Sequence, residues 1–98
     1  ILIGGPGNDT LEGGDGNDIF VFTLTSGGSL DTDTIVDFDA SADRIDLAAF
    51  AFEGFSEVNS LMRQRGDDGF LDLTSVGGPG VILEDVEVAS LREFAFLL

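Results

Sequence analysis

Two nine-residue units stand end to end near the start of the chain and constrain its fold more than any other feature. Gly4-Gly5-Pro6-Gly7-Asn8-Asp9-Thr10-Leu11-Glu12 runs directly into Gly13-Gly14-Asp15-Gly16-Asn17-Asp18-Ile19-Phe20-Val21. Both read G-G-x-G-N-D, then any residue, then an apolar one. Ile1-Leu2-Ile3 fits the tail of a preceding unit, so the chain opens in mid-pattern and reads as a piece of a longer one. Glycine supplies positive φ and close backbone approach, so six residues can turn tightly and aim several carbonyls inward. The Asp that closes each turn adds a carboxylate to that oxygen cluster. The three residues that follow make a short strand in which Leu11 or Phe20 alone points inside. Nine residues then form half a coil, and eighteen bring the chain back beneath itself by one strand spacing, ~4.8 Å. A single coil cannot bury its own apolar residue, so coils must stack.

Composition says what such turns attract. The 98 residues hold 19 Asp and Glu against four Arg, a formal charge of −15, with no Cys and no His. Disulfides and cysteine-based zinc or redox sites are excluded, and the commonest transition-metal ligand and general base is missing. The charge repels nucleic acid and anionic membranes and favours hard cations, which take oxygen ligands. High charge alone points to disorder, but 43% of the residues are hydrophobic and nine are Phe. A chain of this kind can fold once its charge is neutralised. No apolar run reaches the roughly 20 residues of a membrane-spanning helix, and the first residues lack the basic region and cleavage pattern of a signal peptide.

Two other ion-binding readings fail on spacing. A phosphate loop lacks its third glycine in both Gly5-x-Gly7-x-x-Thr10 and Gly14-x-Gly16-x-x-Ile19. An EF-hand starting at Asp31 and Asp33 places Val36 where glycine is needed and Ala42 where the bidentate Glu belongs. The bland alternative is a pair of metal-free glycine turns in an ordinary hairpin sheet. The abutting, in-phase repetition of the unit weighs against it.

Downstream, Ser26-Gly27-Gly28-Ser29 reads as a loop, followed by Asp33, Ile35, Asp37 and Phe38 in a D-x-I-x-D-F pattern and by Asp43-Arg44-Ile45-Asp46-Leu47. Ser56 to Arg65 carries helix signals: Ser56 as N-cap, Val58, Leu61 and Met62 on one face, and two arginines before Gly66. Residues 70–74 and 81–83 read as strands of a hairpin joined by residues 75–80. Nothing in the chain has a catalytic look, since His, Cys and an isolated carboxylate pair in an apolar setting are all wanting.

The nonapeptides resemble the calcium-binding signature G-G-x-G-x-D-x-U-x of the RTX (repeats-in-toxin) family. The resemblance implies a mainly β fold, a right-handed parallel β-roll followed by a β cap with one short helix. Residues 1–30 would be calcium-binding coils, and residues 31–98 the cap and secretion-signal region, in one continuous domain. In that family each Ca²⁺ sits between turns on one edge, one coil apart, held by carbonyls and by the closing Asp of each turn. Carried over, the ligands are the carboxylates of Asp9 and Asp18 and the carbonyls of Gly4, Gly5, Pro6, Gly7, Gly13, Gly14, Asp15 and Gly16. Asp9 and Asp18 are nine residues apart and so fall on opposite edges, each needing a turn eighteen residues away. The D-x-I-x-D-F and D-x-I-D-L block resembles the segment after the last repeat in RTX proteases and alginate-epimerase modules. It makes Ile35, Phe38, Ile45 and Leu47 a cover for the roll. It also makes Asp37, and with it Asp33, candidates to complete the site beneath the turn of residues 13–18; the alternative is that these are solvated turn carboxylates.

The tail, Val86 to Leu98, resembles the ends of RTX proteins: a valine-containing strand, a Ser-Leu turn, then an acidic residue and Phe-x-Phe, here Phe94-Ala95-Phe96. There the C-terminus is an uncleaved type I secretion signal. The implied partners are calcium ions, upstream RTX repeats of the same chain and the type I secretion machinery, with no nucleic acid and no membrane insertion. The implied location is extracellular. Folding would be driven by Ca²⁺ outside the cell. The alternatives are a non-catalytic module that steadies a secreted protease, lipase or epimerase, or the end domain of an adhesin.

Overall fold

Two stacks of very short parallel strands carry the N-terminal half, as the alternation of glycine turns with three-residue apolar segments requires. The computed structural model describes residues 2–3, 8–23 and 32–98. Gly4, Gly5, Pro6 and Gly7, and the Ser26–Ser29 loop, lie outside the described residues. Strands β1 (Leu2–Ile3), β3 (Ile19–Val21) and β5 (Arg44–Asp46) pair in parallel in one sheet. Strands β2 (Thr10–Leu11) and β4 (Thr32–Ile35) pair in parallel in the other. The chain therefore changes sheet at every turn.

Register lines the apolar residues up in two columns. Leu2 stands beside Phe20 and Phe20 beside Ile45 in the first sheet, and Leu11 beside Ile35 in the second. Phe20, Ile35 and Ile45 are fully buried, and with Leu11, Phe38 and Leu47 they belong to a single hydrophobic core fed by both sheets. Alternation along each strand is what sends these residues inward and their neighbours out.

The C-terminal half closes both stacks. After a short helix α1 (Phe55–Ser60), strand β6 (Met62–Arg65) pairs antiparallel with β7 (Asp68–Asp72), which pairs antiparallel with β8 (Gly80–Leu83). β8 then docks in parallel against β4, setting Leu83 beside Ile35. The last strand, β9 (Phe96–Leu97), does the same for the first sheet, with Phe96 beside Ile45. Among the described residues the fold is mainly β with one short α-helix.

The hairpin expected from residues 70–83 forms, its strands being β7 and β8. The expected helix over residues 56–65 is shorter and starts earlier: Gly54 precedes it as N-cap, and Met62–Arg65 is a strand. The cause is the glycine-first turn Gly66-Asp67, with Gly66 at φ 63°, which folds residues 62–65 back onto residues 68–71 as a two-residue hairpin. There the arginine side chains find partners that helix-end carbonyls would not supply. Arg65 lies 3.7 Å over the Phe70 ring. Asp72 is held below the usual carboxylate range by the Thr74 hydroxyl and amide, with Arg63 and Arg65 adding to it. In the tail, the segment likened to a valine-containing strand instead leads into a 3₁₀ turn, Val88–Ser90.

Candidate functional site

Each nonapeptide Asp is gripped by a second Asp that lies one strand below it in register. The Asp9 amide donates to Asp33 Oδ1 at 2.9 Å, while the Asp9 carbonyl accepts from the Thr34 amide at 2.8 Å. The Asp18 amide likewise donates to Asp43 Oδ1 at 2.9 Å, and its carbonyl accepts from the Arg44 amide at 2.9 Å. The segments Asp33-Thr34-Ile35 and Asp43-Arg44-Ile45 thus do the same job under Asp9-Thr10-Leu11 and Asp18-Ile19-Phe20. The Asp holds an amide, the next residue continues the ladder, and the Ile enters the core. Asp33 and Asp43 are buried, at 2% and 1% exposure, as carboxylates can be when amides surround them.

Asp37 serves the start of the second turn. Its Oδ1 accepts from Gly13 at 2.9 Å and its Oδ2 from Gly14 at 2.7 Å. Two successive amides converging on one carboxylate form an anion-binding nest. Gly14 (φ 79°) and Gly16 (φ 93°) take the left-handed conformation that gives the turn its shape and that favours glycine.

Asp33 and Asp37 are not brought together. Strand β4 crosses from one edge to the other between them, so Asp33 meets Asp9 in the first turn and Asp37 meets Gly13 and Gly14 in the second. The resemblance had put both beneath the turn of residues 13–18; Asp37 contacts that turn, whereas Asp33 lies beside Asp9. Asp43 was missed as a site residue. The signal for it was present in the shared D-x-apolar spacing of residues 33–35, 43–45, 9–11 and 18–20.

The other oxygens of the two turn aspartates are in a different state. Asp9 Oδ2 and Asp18 Oδ2 are both buried, and neither has a hydrogen-bond partner among the described residues. Asp18 Oδ2 folds back across its own turn: a Cβ placed on Gly13 would fall 2.5 Å from it and 2.8 Å from Asp18 Cγ. A buried carboxylate oxygen without a donor is costly, and a divalent cation is the partner that suits it. Among the described residues, no three acidic, His or Cys side chains converge as a metal cluster. A cation here would be held largely by backbone carbonyls, as glycine turns provide.

The shallow cleft beside Phe38, Asp39, Asp85 and Glu87 contains one hydroxyl, that of Ser90, and it donates to the Glu87 carbonyl at 2.6 Å. Among the described residues, no helix is long and apolar enough to cross a membrane.

Stacked parallel strands joined by glycine turns, with buried turn carboxylates, are of the class of C-terminal domains found in RTX-type secreted proteins. The family described as "Peptidase M10 serralysin C terminal" matches residues 2–75, and the chain belongs to it. Proteins of this family are secreted, and their catalytic domain is a separate part of the molecule. No curated protein matches the chain.

Proposed function

We propose that this chain is a calcium-binding RTX C-terminal domain, a parallel β-roll and cap that folds on Ca²⁺ outside the cell and carries a type I secretion signal at its end. The observation that carries the proposal is the pair of buried oxygens without a donor among the described residues, Asp9 Oδ2 and Asp18 Oδ2, each at the closing position of a glycine turn. The carboxylates of Asp9 and Asp18 would serve with the carbonyls of Gly4, Gly5, Pro6 and Gly7 in one turn and of Gly13, Gly14, Asp15 and Gly16 in the other. Calcium would supply the positive charge that a chain with four arginines against 19 acidic residues lacks. Without it, repulsion among the carboxylates and the entropy of the glycine-rich backbone oppose folding. Binding free energy then becomes folding free energy. In the low calcium of the cytosol the chain would stay loose and exportable, and it would close after export.

Calcium titration of the chelator-treated chain, followed by circular dichroism, tests this. A gain of β signal and a rise in melting temperature are expected; a spectrum and melting curve indifferent to chelation would overturn the proposal. Gly13→Ala gives a sharper check, because Gly13 has no positive φ and the substitution acts only through space. The added methyl would push the Asp18 carboxylate off its turn, so the calcium midpoint should rise about tenfold, equivalent to ~1.4 kcal/mol. An unshifted midpoint would remove Asp18 from the ligand set.

A further inference from the structure

Resting on the proposal that the Asp18 turn takes Ca²⁺, we propose that Asp37 and Asp43 are positioning residues rather than ligands, forming a metal-free clasp that ends the calcium stack and pre-shapes its last turn. Asp43 is in register with Asp18, since Ile19 pairs with Arg44 and Phe20 with Ile45. It therefore occupies the place of the closing Asp of a further repeat. Its carboxylate is directed otherwise. Oδ1 accepts from the Asp18 amide and Oδ2 from the Asp39 amide, both at 2.9 Å, and the side chain is 1% exposed.

Asp37 is used in the same way, one oxygen each for Gly13 and Gly14. The two carboxylates thus engage four amides, three of them in the turn of residues 13–18. Amide dipoles that point their positive ends at a carboxylate also point them at any cation placed there, so the clasp disfavours metal on this side of the turn.

The clasp is itself closed. The Asp43 amide returns a 2.7 Å bond to the Asp39 carbonyl, and Asp39 Oδ1 accepts from the Ser41 hydroxyl and amide. The Ser41 hydroxyl, then its amide, hold the Asp39 carboxyl below the usual range. None of these bonds needs a metal. The turn is therefore held from below in the conformation that lays the Asp18 carboxylate over Gly13. A ligand set fixed before binding loses less entropy on binding.

Counting bound ⁴⁵Ca²⁺ by equilibrium dialysis, with the titration midpoint, separates the roles when the chain carries a further nonapeptide turn one coil before residues 13–18, the second turn that the Asp18 site needs. Asp18→Asn should lose an ion. Asp43→Asn should keep the ion count of the unmodified chain while its midpoint rises about tenfold, and Asp37→Asn, at a more exposed position, should rise about threefold. An Asp43→Asn chain that loses an ion as Asp18→Asn does would make Asp43 a ligand and overturn the clasp. An unchanged midpoint and count in both clasp variants would overturn it too. Should the unmodified chain bind no calcium, the underlying function fails, and the clasp with it.

A residue acting only on general stability is distinguished by the Asp18 amide proton. At saturating Ca²⁺ its resonance should move upfield in Asp43→Asn, which weakens the acceptor, and stay in place in Leu71→Ala, which loosens the core elsewhere. If Asp43→Asn does not fold, the dialysis and the midpoint of Asp37→Asn decide the matter.

Discussion

Phe20→Ala is expected to destabilise the folded chain by about 3–5 kcal/mol, measured by denaturant unfolding at a fixed, saturating calcium concentration. The ring is fully buried. It stands in register between Leu2 above and Ile45 below, and its centroid is 6.0 Å from that of Phe38, tilted at 53°. Truncation opens a cavity in the middle of a column, where the stacked strands cannot close over it without breaking their parallel ladders. A domain of 98 residues has about 5–15 kcal/mol of stability in all, so this substitution takes roughly a fifth or more of it. Fixing the calcium concentration matters because ligand binding shifts apparent stability by mass action. A loss below about 1 kcal/mol would mean that the columns are not what holds the two sheets together.

The same residue shows why much of the fold could be read from the sequence. Phe20 and Leu11 occupy one position of a short repeat, and a period-two strand next to a glycine turn leaves only one way to point them. Ile35, Phe38, Ile45 and Leu47 were placed over the roll by the resemblance of their block to the segment that follows the last RTX repeat, and they are buried in the core. The ladder that joins residues 9–11 to 33–35 was not readable. Its register skips 24 residues rather than eighteen, because the connection after β3 is longer than a nonapeptide and carries no repeat from which to count.

That irregularity also explains the misplacement of Asp33 and the omission of Asp43. The resemblance of the D-x-I-x-D-F block to the segment after the last RTX repeat assigned Asp33 and Asp37 to one site. Two residues on either side of a crossing strand, however, belong to opposite edges. Asp43 next to Arg44 invites the reading of a surface ion pair. In the structure Asp43 is buried against amides, and Arg44 lies 4.3 Å over the Phe94 ring. Local charge patterning describes neighbours along the chain, whereas register decides neighbours across it. The helix end failed in a similar way. Val58, Leu61 and Met62 do have helical spacing, but the turn chemistry of Gly66-Asp67 overrode it by offering Met62–Arg65 a strand to pair with.

Ending the chain after Phe94 is expected to remove about 5 kcal/mol of stability, roughly a third or more of the domain's total. The deletion takes away Ala95 and Phe96, both buried, and the ring contact between Phe96 and Phe55 at 5.6 Å. It also removes the bond from the Leu47 amide to the Leu97 carbonyl at 2.8 Å, and β5 is left with an uncovered edge. Thermal denaturation at saturating calcium measures the loss; a truncated chain melting within a few degrees of the intact one would show that β9 is an ornament on the sheet. The result bears on export, because the residues proposed as the secretion signal are the residues that close the first sheet. Less protein in the culture supernatant after such a deletion would follow from a lost signal or from degradation of an unfolded product. Phe94→Ser and Leu98→Ser separate the two, since these side chains are 52% and 40% exposed. Stability should change by no more than about 1 kcal/mol, the larger part from the Arg44–Phe94 contact. A fall in export with these folded variants would belong to the signal. Normal export with them, beside failed export of the truncated chain, would assign the tail to the fold instead.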